Sequence, residues 1–150
     1  MSIETTRDRG QNLTIHVVTG PVSEPQMYRT LEDFYDREPT ALVLWDMSQA
    51  ELSQVTPGML QKFVRRAAEI GVRRQGGRTA VVAPEDLEFG LARMSETFAD
   101  LESMPFSFSA FRSRQEALPW SMADSPILLY TIVCPNNAMP KSLLKTRRYQ

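Results

Sequence analysis

A carboxylate and several hydroxyl groups lie between an apolar run and a helix start in LWDMSQAELSQVTPGML, residues 44 to 60. Asp46 ends the apolar run, and Ser48 lies two positions further along. Open α/β sheets bind ligands at the carboxyl ends of their strands, so one interpretation is a ligand or metal contact. The interpretation that we favour is that both side chains hydrogen-bond to turn backbone, as such residues commonly do.

Two further hydroxyl residues, Ser53 and Thr56, are candidate phospho-acceptors. A phosphate is well placed at a helix N-terminus, where backbone N–H groups and the helix dipole favour negative charge. Thr56 precedes Pro57, and this order is typical of an N-cap followed by the first helical residue. We therefore expect Thr56 to serve first as a helix cap.

Glu85 and Asp86 directly follow the short apolar run TAVVAP at 79–84. If this run and the one ending at Asp46 are parallel strands, the three carboxylates lie at one sheet edge and could bind a divalent cation. Acidic residues are also common in the first turn of a helix, where they complement the dipole, and we favour this interpretation. No metal site and no cofactor are predicted.

The remaining reactive side chains do not form a catalytic pattern. His16 is the only histidine and Cys134 the only cysteine, so an internal disulfide and a zinc cage built from cysteines are excluded. His16 is predicted to be a half-exposed strand residue, since no nucleophile or metal ligand accompanies it. The sequence contains no phosphate loop and no dinucleotide fingerprint. No catalytic residue is assigned, and the sequence favours a protein that is not an enzyme.

Basic residues concentrate on and after the helix that begins at Pro57. No aromatic residues interleave with them for base stacking, so a solvated face is predicted and a nucleic-acid partner is not. The net charge of −1 gives no global attraction to nucleic acid either. The members of this basic region are Arg65, Arg66, Arg73, Arg74 and Arg78.

Length and composition indicate one globular domain of 150 residues with 42% hydrophobic residues. The longest apolar run, ILLYTIVC at 127–134, is far shorter than the roughly 20 residues of a membrane span. We therefore expect a soluble, cytoplasmic protein without a membrane span. The polar N-terminus lacks the features of a secretion signal.

Alternating strand and helix patterns predict the order β-β-α-β-α-β-α-β-α. This order implies an α/β fold with an open, mostly parallel sheet of about five strands and helices on both faces. Ser23 with Gln26 is a possible capping box, and Ser113 with Glu116 is predicted to cap the last helix in the same way. Gly90 inside a helix favours close packing over an approaching ligand. Residues 1–121 form the predicted domain, and 122–150 a C-terminal extension with one strand and a basic tail. Strands are predicted over 3–7, 13–19, 41–47, 79–84 and 106–111, and helices over 23–35, 57–74, 84–101 and 113–120.

Three segments, VLWDMSQAELSQVTPGML, TAVVAPEDLEFGLARMSETFADLE and FSFSAFRSRQEALPWS, resemble the STAS domains, or anti-sigma-factor antagonists. They are closer still to the SpoIIAA-like family of small bacterial proteins, over roughly residues 3 to 121. The resemblance implies a small, mostly non-enzymatic α/β domain. The related fold of CRAL-TRIO proteins holds lipids, which extends the implied ligands to apolar molecules.

Regulatory STAS proteins carry an Asp-Ser-Ser-Gly element in which one serine is phosphorylated to switch partner binding. The matching residues here are Val55, Thr56, Pro57 and Gly58, so only the glycine is retained. Thr56 is the one hydroxyl residue in this four-residue element that such a switch could use.

The predicted function is that of a non-catalytic regulatory or protein-interaction module, acting on a protein partner or through self-association as a homodimer. The alternative is a small-molecule or lipid carrier with a pocket at the carboxyl ends of the strands. An apolar cavity there would favour the carrier, and a filled edge would oppose it. A third possibility is an enzyme that uses Asp46 with Glu85 or Asp86 around a metal. The predicted pocket residues are Trp45, Asp46, Ser48, Pro84, Glu85, Asp86 and Leu87.

Overall fold

Five strands and four α-helices make up residues 1–123, the part of the chain that the computed structural model describes. The predicted element order is confirmed, and a 3-10 turn, Gly71–Arg74, continues the second helix. The strand and basic tail predicted for the extension lie outside the described residues. The elements are β1 (Ser2–Asp8), β2 (Leu13–Pro21), α1 (Glu24–Asp36), β3 (Leu42–Glu51), α2 (Pro57–Ile70), β4 (Arg78–Val82), α3 (Asp86–Leu101), β5 (Ser107–Phe111) and α4 (Arg114–Met122).

The strands lie in the sheet in the same order as in the chain, β1 to β5. β1 is antiparallel to β2, and the other neighbouring pairs are parallel. Because each right-handed crossover steps one strand in the same direction, α1, α2 and α3 cover one face. α4 packs on the other face, where Ala117 and Trp120 belong to one buried cluster with Leu44. The prediction of helices on both faces is confirmed, with three on one side and one on the other.

The central strand β3 supplies both cores. Val43, Trp45 and Met47 belong to the cluster under α1–α3, whereas Leu44 belongs to the cluster under α4. Successive strand side chains point to opposite faces, so a strand covered on both faces is apolar at nearly every position. This coverage explains the continuous apolar run at 41–47.

β1 is one residue longer than predicted at each end, and β2 and β3 extend further because they continue to pair with each other. Beyond a register irregularity between Val17 and Thr19, the pairing extends to Pro21 opposite Glu51. β4 ends earlier, with Val82 opposite Asp46. The predicted polar loop at 48–56 is therefore wrong in its first half, and the turn covers only 52–56.

The helix starts agree with the predicted caps in two cases out of three. Thr56 Oγ1 accepts the N–H of Met59 at 3.2 Å, and Ser113 caps α4 in the same way. The predicted capping box at Ser23 is wrong, because its groups bond to Met1 instead of to each other. The N–H of Ser23 donates to Met1 Sδ, and Gln26 Nε2 donates to the carbonyl oxygen of Met1.

Two glycines differ sharply in what surrounds them. A Cβ at Gly77 would overlap the carbonyl oxygen of Ala41 and lie 2.9 Å from that of Arg74, so only glycine fits there. A Cβ at Gly90 would meet nothing within 4 Å. The predicted close packing at Gly90 is therefore wrong.

Candidate functional site

A cavity of about 120 Å³ lies between the sheet and helices α1–α3. Its walls come from these helices, from β2 to β5 and from the turn before α2. The apolar lining residues are Val22, Met27, Leu31, Phe34, Val43, Trp45, Met47, Leu52, Val55, Met59, Leu60, Phe63, Val64, Ala67, Val81, Leu91, Ala92, Met104, Phe106 and Phe108. The polar ones are His16, Glu24, Tyr35, Arg74, Thr79, Glu88 and Ser95.

The two ends of the cavity differ in exposure. Glu24, Met59 and Glu88 lie in the first turns of α1, α2 and α3, follow the carboxyl ends of strands, and are partly exposed. At the other end, near the start of β4, Arg74 and Thr79 are buried. The cavity therefore runs from a partly open carboxyl end of the sheet into a closed polar end.

The apolar walls combine rigid rings with flexible thioethers. Trp45 stacks on His16 with ring centroids 4.3 Å apart and meets the edge of Phe63 at 6.2 Å. Four of the chain's eight methionines also line the cavity. Methionine side chains adapt to irregular shapes because they are unbranched and flexible. A wall of this kind can follow the outline of an apolar guest.

His16 is buried, with only 1% of its surface exposed, so the prediction of a half-exposed residue is wrong. β2 is an inner strand, and the imidazole lies under α1, edge-on to the ring of Phe34. Its Nδ1 hydrogen-bonds to Thr5 Oγ1 at 2.8 Å. Its Nε2 has no hydrogen-bond partner among residues 1–123. Burial, and then the charges of Arg7 and Arg74, lower the pKa of His16 to about 4.

Arg74, which was predicted to lie on a solvated face, is only 4% exposed. It donates to the carbonyl oxygens of Thr40, Ala41 and Arg78 at 2.9 Å, and to the hydroxyl groups of Thr79 and Tyr35. All of these acceptors are uncharged, and within the described part of the chain Arg74 forms no ion pair. A guanidinium charge therefore lies at the closed end of the cavity without a carboxylate beside it.

The guanidinium of Arg74 also lies over two rings of the cavity wall. Its carbon is 4.3 Å from the ring centroid of Phe106 and 5.6 Å from that of Phe34. By contrast, Arg65 and Arg66 are more than a third exposed and pair with acidic side chains on the surface. The solvated interpretation fits these two arginines but not Arg74.

Asp46 lies on the opposite face of the sheet from the cavity, where it connects β3 to α4. Its Oδ1 accepts the N–H and hydroxyl of Ser48 at 3.0 and 2.6 Å, and its Oδ2 accepts Nε of Arg114 at 2.7 Å. Burial would raise the pKa of Asp46, but the hydrogen bonds from Ser48 and Arg114 outweigh it and lower the pKa. The favoured interpretation holds for Asp46, which accepts a backbone N–H, but not for Ser48, whose hydroxyl bonds to the Asp46 carboxylate. Both residues lie in β3 and not in a turn.

Sequence reasoning missed Arg114 as the partner of Asp46. A cation in the first turn of a helix opposes the helix dipole, and its presence there indicates a specific acidic partner. This was the one available sign of the ion pair.

The predicted residues after β4 face solvent instead of the cavity. Pro84, Glu85, Asp86 and Leu87 are exposed, and Arg112 bonds to the carbonyl oxygen of Pro84 and to Asp86 Oδ1. Over residues 1–123, no three His, Cys, Asp or Glu side chains group closely enough to hold a metal ion, so Asp46, Glu85 and Asp86 do not share a cation. Of the predicted pocket residues, Trp45 lines the cavity.

Ser53 and Thr56 are exposed in the turn before α2. Thr56 Oγ1 already accepts a helix N–H, so a phosphate there would replace an existing cap. Phosphorylation at either residue stays a prediction.

Across residues 1–123, no helix combines the length and apolarity that crossing a bilayer requires. No protein-family model and no curated protein matches the chain. A similar solved structure is that of an uncharacterized DUF3478 family protein with a SpoIIAA-like fold from Shewanella loihica PV-4. The match has a TM-score of 0.53 and 19% identity, and covers 80% of this chain and 92% of that chain. Identity at this level shows the fold alone: this protein has a SpoIIAA-like α/β fold.

Proposed function

We propose that this protein is a non-catalytic binding domain that takes a small apolar molecule into the cavity between its sheet and helices α1–α3. The observation that carries the proposal is the cavity of about 120 Å³ with its almost continuous apolar wall. In an unrelated protein, an engineered apolar cavity of roughly 150 Å³ binds benzene. The space here is therefore of the right order for one aromatic ring or a short alkyl chain.

Energetics also support occupancy. Empty core volume costs about 24 cal/mol per Å³, so an unfilled cavity of this size removes about 3 kcal/mol of stability. A guest that restores the missing dispersion contacts recovers part of this amount. The partly exposed residues at the first turns of α1–α3 offer it a route in.

Binding of toluene tests the proposal. The binding is detected by NMR of the methionine methyl groups and by thermal unfolding. We expect shifts at Met27, Met47, Met59 and Met104 and an increase in Tm, because a ligand that binds only the folded state stabilises it. Toluene that leaves all four methyl signals and the Tm unchanged would contradict the proposal.

A matched pair of variants on α2 locates the binding. Ala67 is buried in the cavity wall, whereas its neighbour Ala68 is partly exposed and does not line the cavity. Ala67→Leu fills cavity space and should abolish toluene binding, while Ala68→Leu makes the same chemical change outside it and should leave binding intact. Equal binding by the two variants would place the ligand elsewhere.

A second candidate function, protein interaction or self-association as a homodimer, is favoured by the edge strand β1. Among residues 1–123, β1 pairs only with β2 and is largely exposed, so it could accept a strand from a partner. The other edge is less available, because Glu96 Oε1 already accepts the N–H of Ala110 on β5. Native mass spectrometry separates the two functions: a dimer of bare chains supports the interaction module, and a monomer with an added small mass supports the carrier.

A further inference from the structure

We propose that the cavity's ligand is an apolar carboxylate, with its carboxylate hydrogen-bonded to His16 and facing Arg74 at the closed end. This inference rests on the proposed function and specifies its ligand class. It starts from two features of residues 1–123 that core packing does not explain. Within this part of the chain, the buried Nε2 of His16 has no hydrogen-bond partner and the buried Arg74 forms no ion pair with a carboxylate.

The first feature is Nε2 of His16. The ring lines the cavity, and Nδ1 is already bonded to Thr5 on β1. Nε2 is the nitrogen farther from the strand backbone, so it lies toward the helix layer, and it has no partner among the described residues. A buried polar group without a hydrogen-bond partner destabilises the folded protein. An oxygen atom of a ligand would remove this cost.

The second feature is the charge around that nitrogen. Arg74 lines the closed end of the cavity, and its hydrogen bonds go to neutral acceptors. Arg7 bonds to the carbonyl oxygens of Phe34 and Glu38 and lies over the Phe34 ring at 5.5 Å. Arg74 lines the cavity, and the charges of both Arg74 and Arg7 act on the His16 ring, so an anionic group is favoured over a cationic one beside this ring.

The ionisable neighbours of His16 fix the orientation of the ligand. The charges that act on the ring are those of Arg7 on β1 and Arg74 after α2, while β3 contributes the uncharged Trp45. Tyr35 on α1 also lines the cavity. The acidic lining residues, Glu24 and Glu88, lie at the partly exposed end and would repel an anion there. A carboxylate is therefore favoured at the closed end, with its tail toward the methionines.

The hydrogen-bond chemistry is consistent with a carboxylate. The 2.8 Å contact between Nδ1 and Thr5 Oγ1 fits either tautomer of His16. In the tautomer whose Nδ1 accepts the hydroxyl proton of Thr5, the neutral ring carries its proton on Nε2. An ionised carboxylate only accepts hydrogen bonds and so matches this donor. An ammonium head group only donates hydrogen bonds, so it finds no acceptor at the Nε2–H of His16. The positive charge of Arg74 would also repel it.

The experiment compares three one-ring probes, benzoate, toluene and benzylamine, by calorimetry at pH 7 with the full chain. We expect benzoate to bind at least about tenfold more tightly than toluene, and benzylamine more weakly than toluene. Saturating benzoate should also raise the pKa of His16 by about one unit or more, because an anion stabilises the protonated ring. NMR titration of the ring measures this change.

The outcomes separate this inference from the proposed function. If toluene binds as tightly as benzoate, or benzylamine binds best, the carboxylate inference is overturned and the apolar cavity stands. If none of the three binds, both fall. His16→Phe should lose the preference for benzoate over toluene, because it removes the Nε2 donor. Should that variant not fold, the pKa of His16 in the native protein decides: no rise with benzoate overturns the inference.

Discussion

Stability between pH 7 and pH 5 is expected to depend on His16. Burial, followed by the charges of Arg7 and Arg74, lowers the pKa of its ring from 6.5 to about 4. In the unfolded chain the ring titrates near 6.5. Between the two values the unfolded chain binds a proton that the folded protein does not, so the free energy of unfolding falls as the pH falls.

The magnitude follows from the shift. A pKa difference of about 2.5 units at 1.36 kcal/mol each gives about 3 kcal/mol of stability, present above pH 6.5 and lost as the pH falls to 4. About 2 kcal/mol of this is lost between pH 7 and pH 5. This window isolates His16, the only histidine of the chain. Asp46, whose pKa is lowered, loses its contribution only in more acidic solution.

Urea unfolding followed by circular dichroism at pH 7, 6 and 5 measures this loss. His16→Phe keeps a ring against Phe34 and Trp45 but cannot take up a proton, so its stability should change by less than about 0.5 kcal/mol over the window. Thr5→Val is the control, because it removes the Nδ1 partner and leaves the ring buried. It should keep the pH dependence.

The reasoning is refuted if His16→Phe loses as much stability from pH 7 to pH 5 as the native protein does. It is refuted equally if NMR titration of the native protein finds His16 protonating between pH 6 and pH 7. Either result would mean that the ring is not held neutral by its burial.

Three further substitutions test other parts of the structure through urea unfolding. Asp46→Asn breaks the ion pair with a partly exposed arginine and should cost about 1 kcal/mol; an unchanged midpoint would show that the pair contributes nothing. Thr56→Ala removes the cap of α2 and should cost about 1 kcal/mol, while Thr56→Ser should cost much less. Gly90→Ala should stabilise α3 by up to about 1 kcal/mol, whereas Gly77→Ala should destabilise the protein by more than about 2 kcal/mol. A destabilising Gly90→Ala or a neutral Gly77→Ala would contradict the local geometry.

The architecture was predictable because local patterns and packing agree along most of the chain. The run at 41–47 is apolar at nearly every position, which only a strand covered on both faces requires. Thr56 with Pro57 located the start of α2 to the residue. The strand ends were less predictable: β3 continues to Glu51 because β2 offers it a partner there, and the polar sequence at 48–51 carries no trace of that pairing.

The burial of His16 and Arg74 could not be predicted from their neighbours in the sequence. Arg74 lies among several arginines that are exposed, and only the fold brings carbonyl oxygens from Thr40, Ala41 and Arg78 around its guanidinium. His16 alternates with apolar residues on β2, and its burial depends on α1 covering that face. In both cases the decisive partners are distant in sequence or belong to another element.

The cavity itself is a property of the spacing between helices and sheet, which no single segment encodes. Part of its location was nevertheless available from strand alternation. Trp45 and Asp46 are adjacent on one strand, so their side chains must point to opposite faces and cannot line one pocket. Following alternate positions from Trp45 leads instead to Val43 and Met47, and both line the cavity. Ligand contacts in this fold should therefore be sought along one face of β3, under the helices, and not around the residues at its edge.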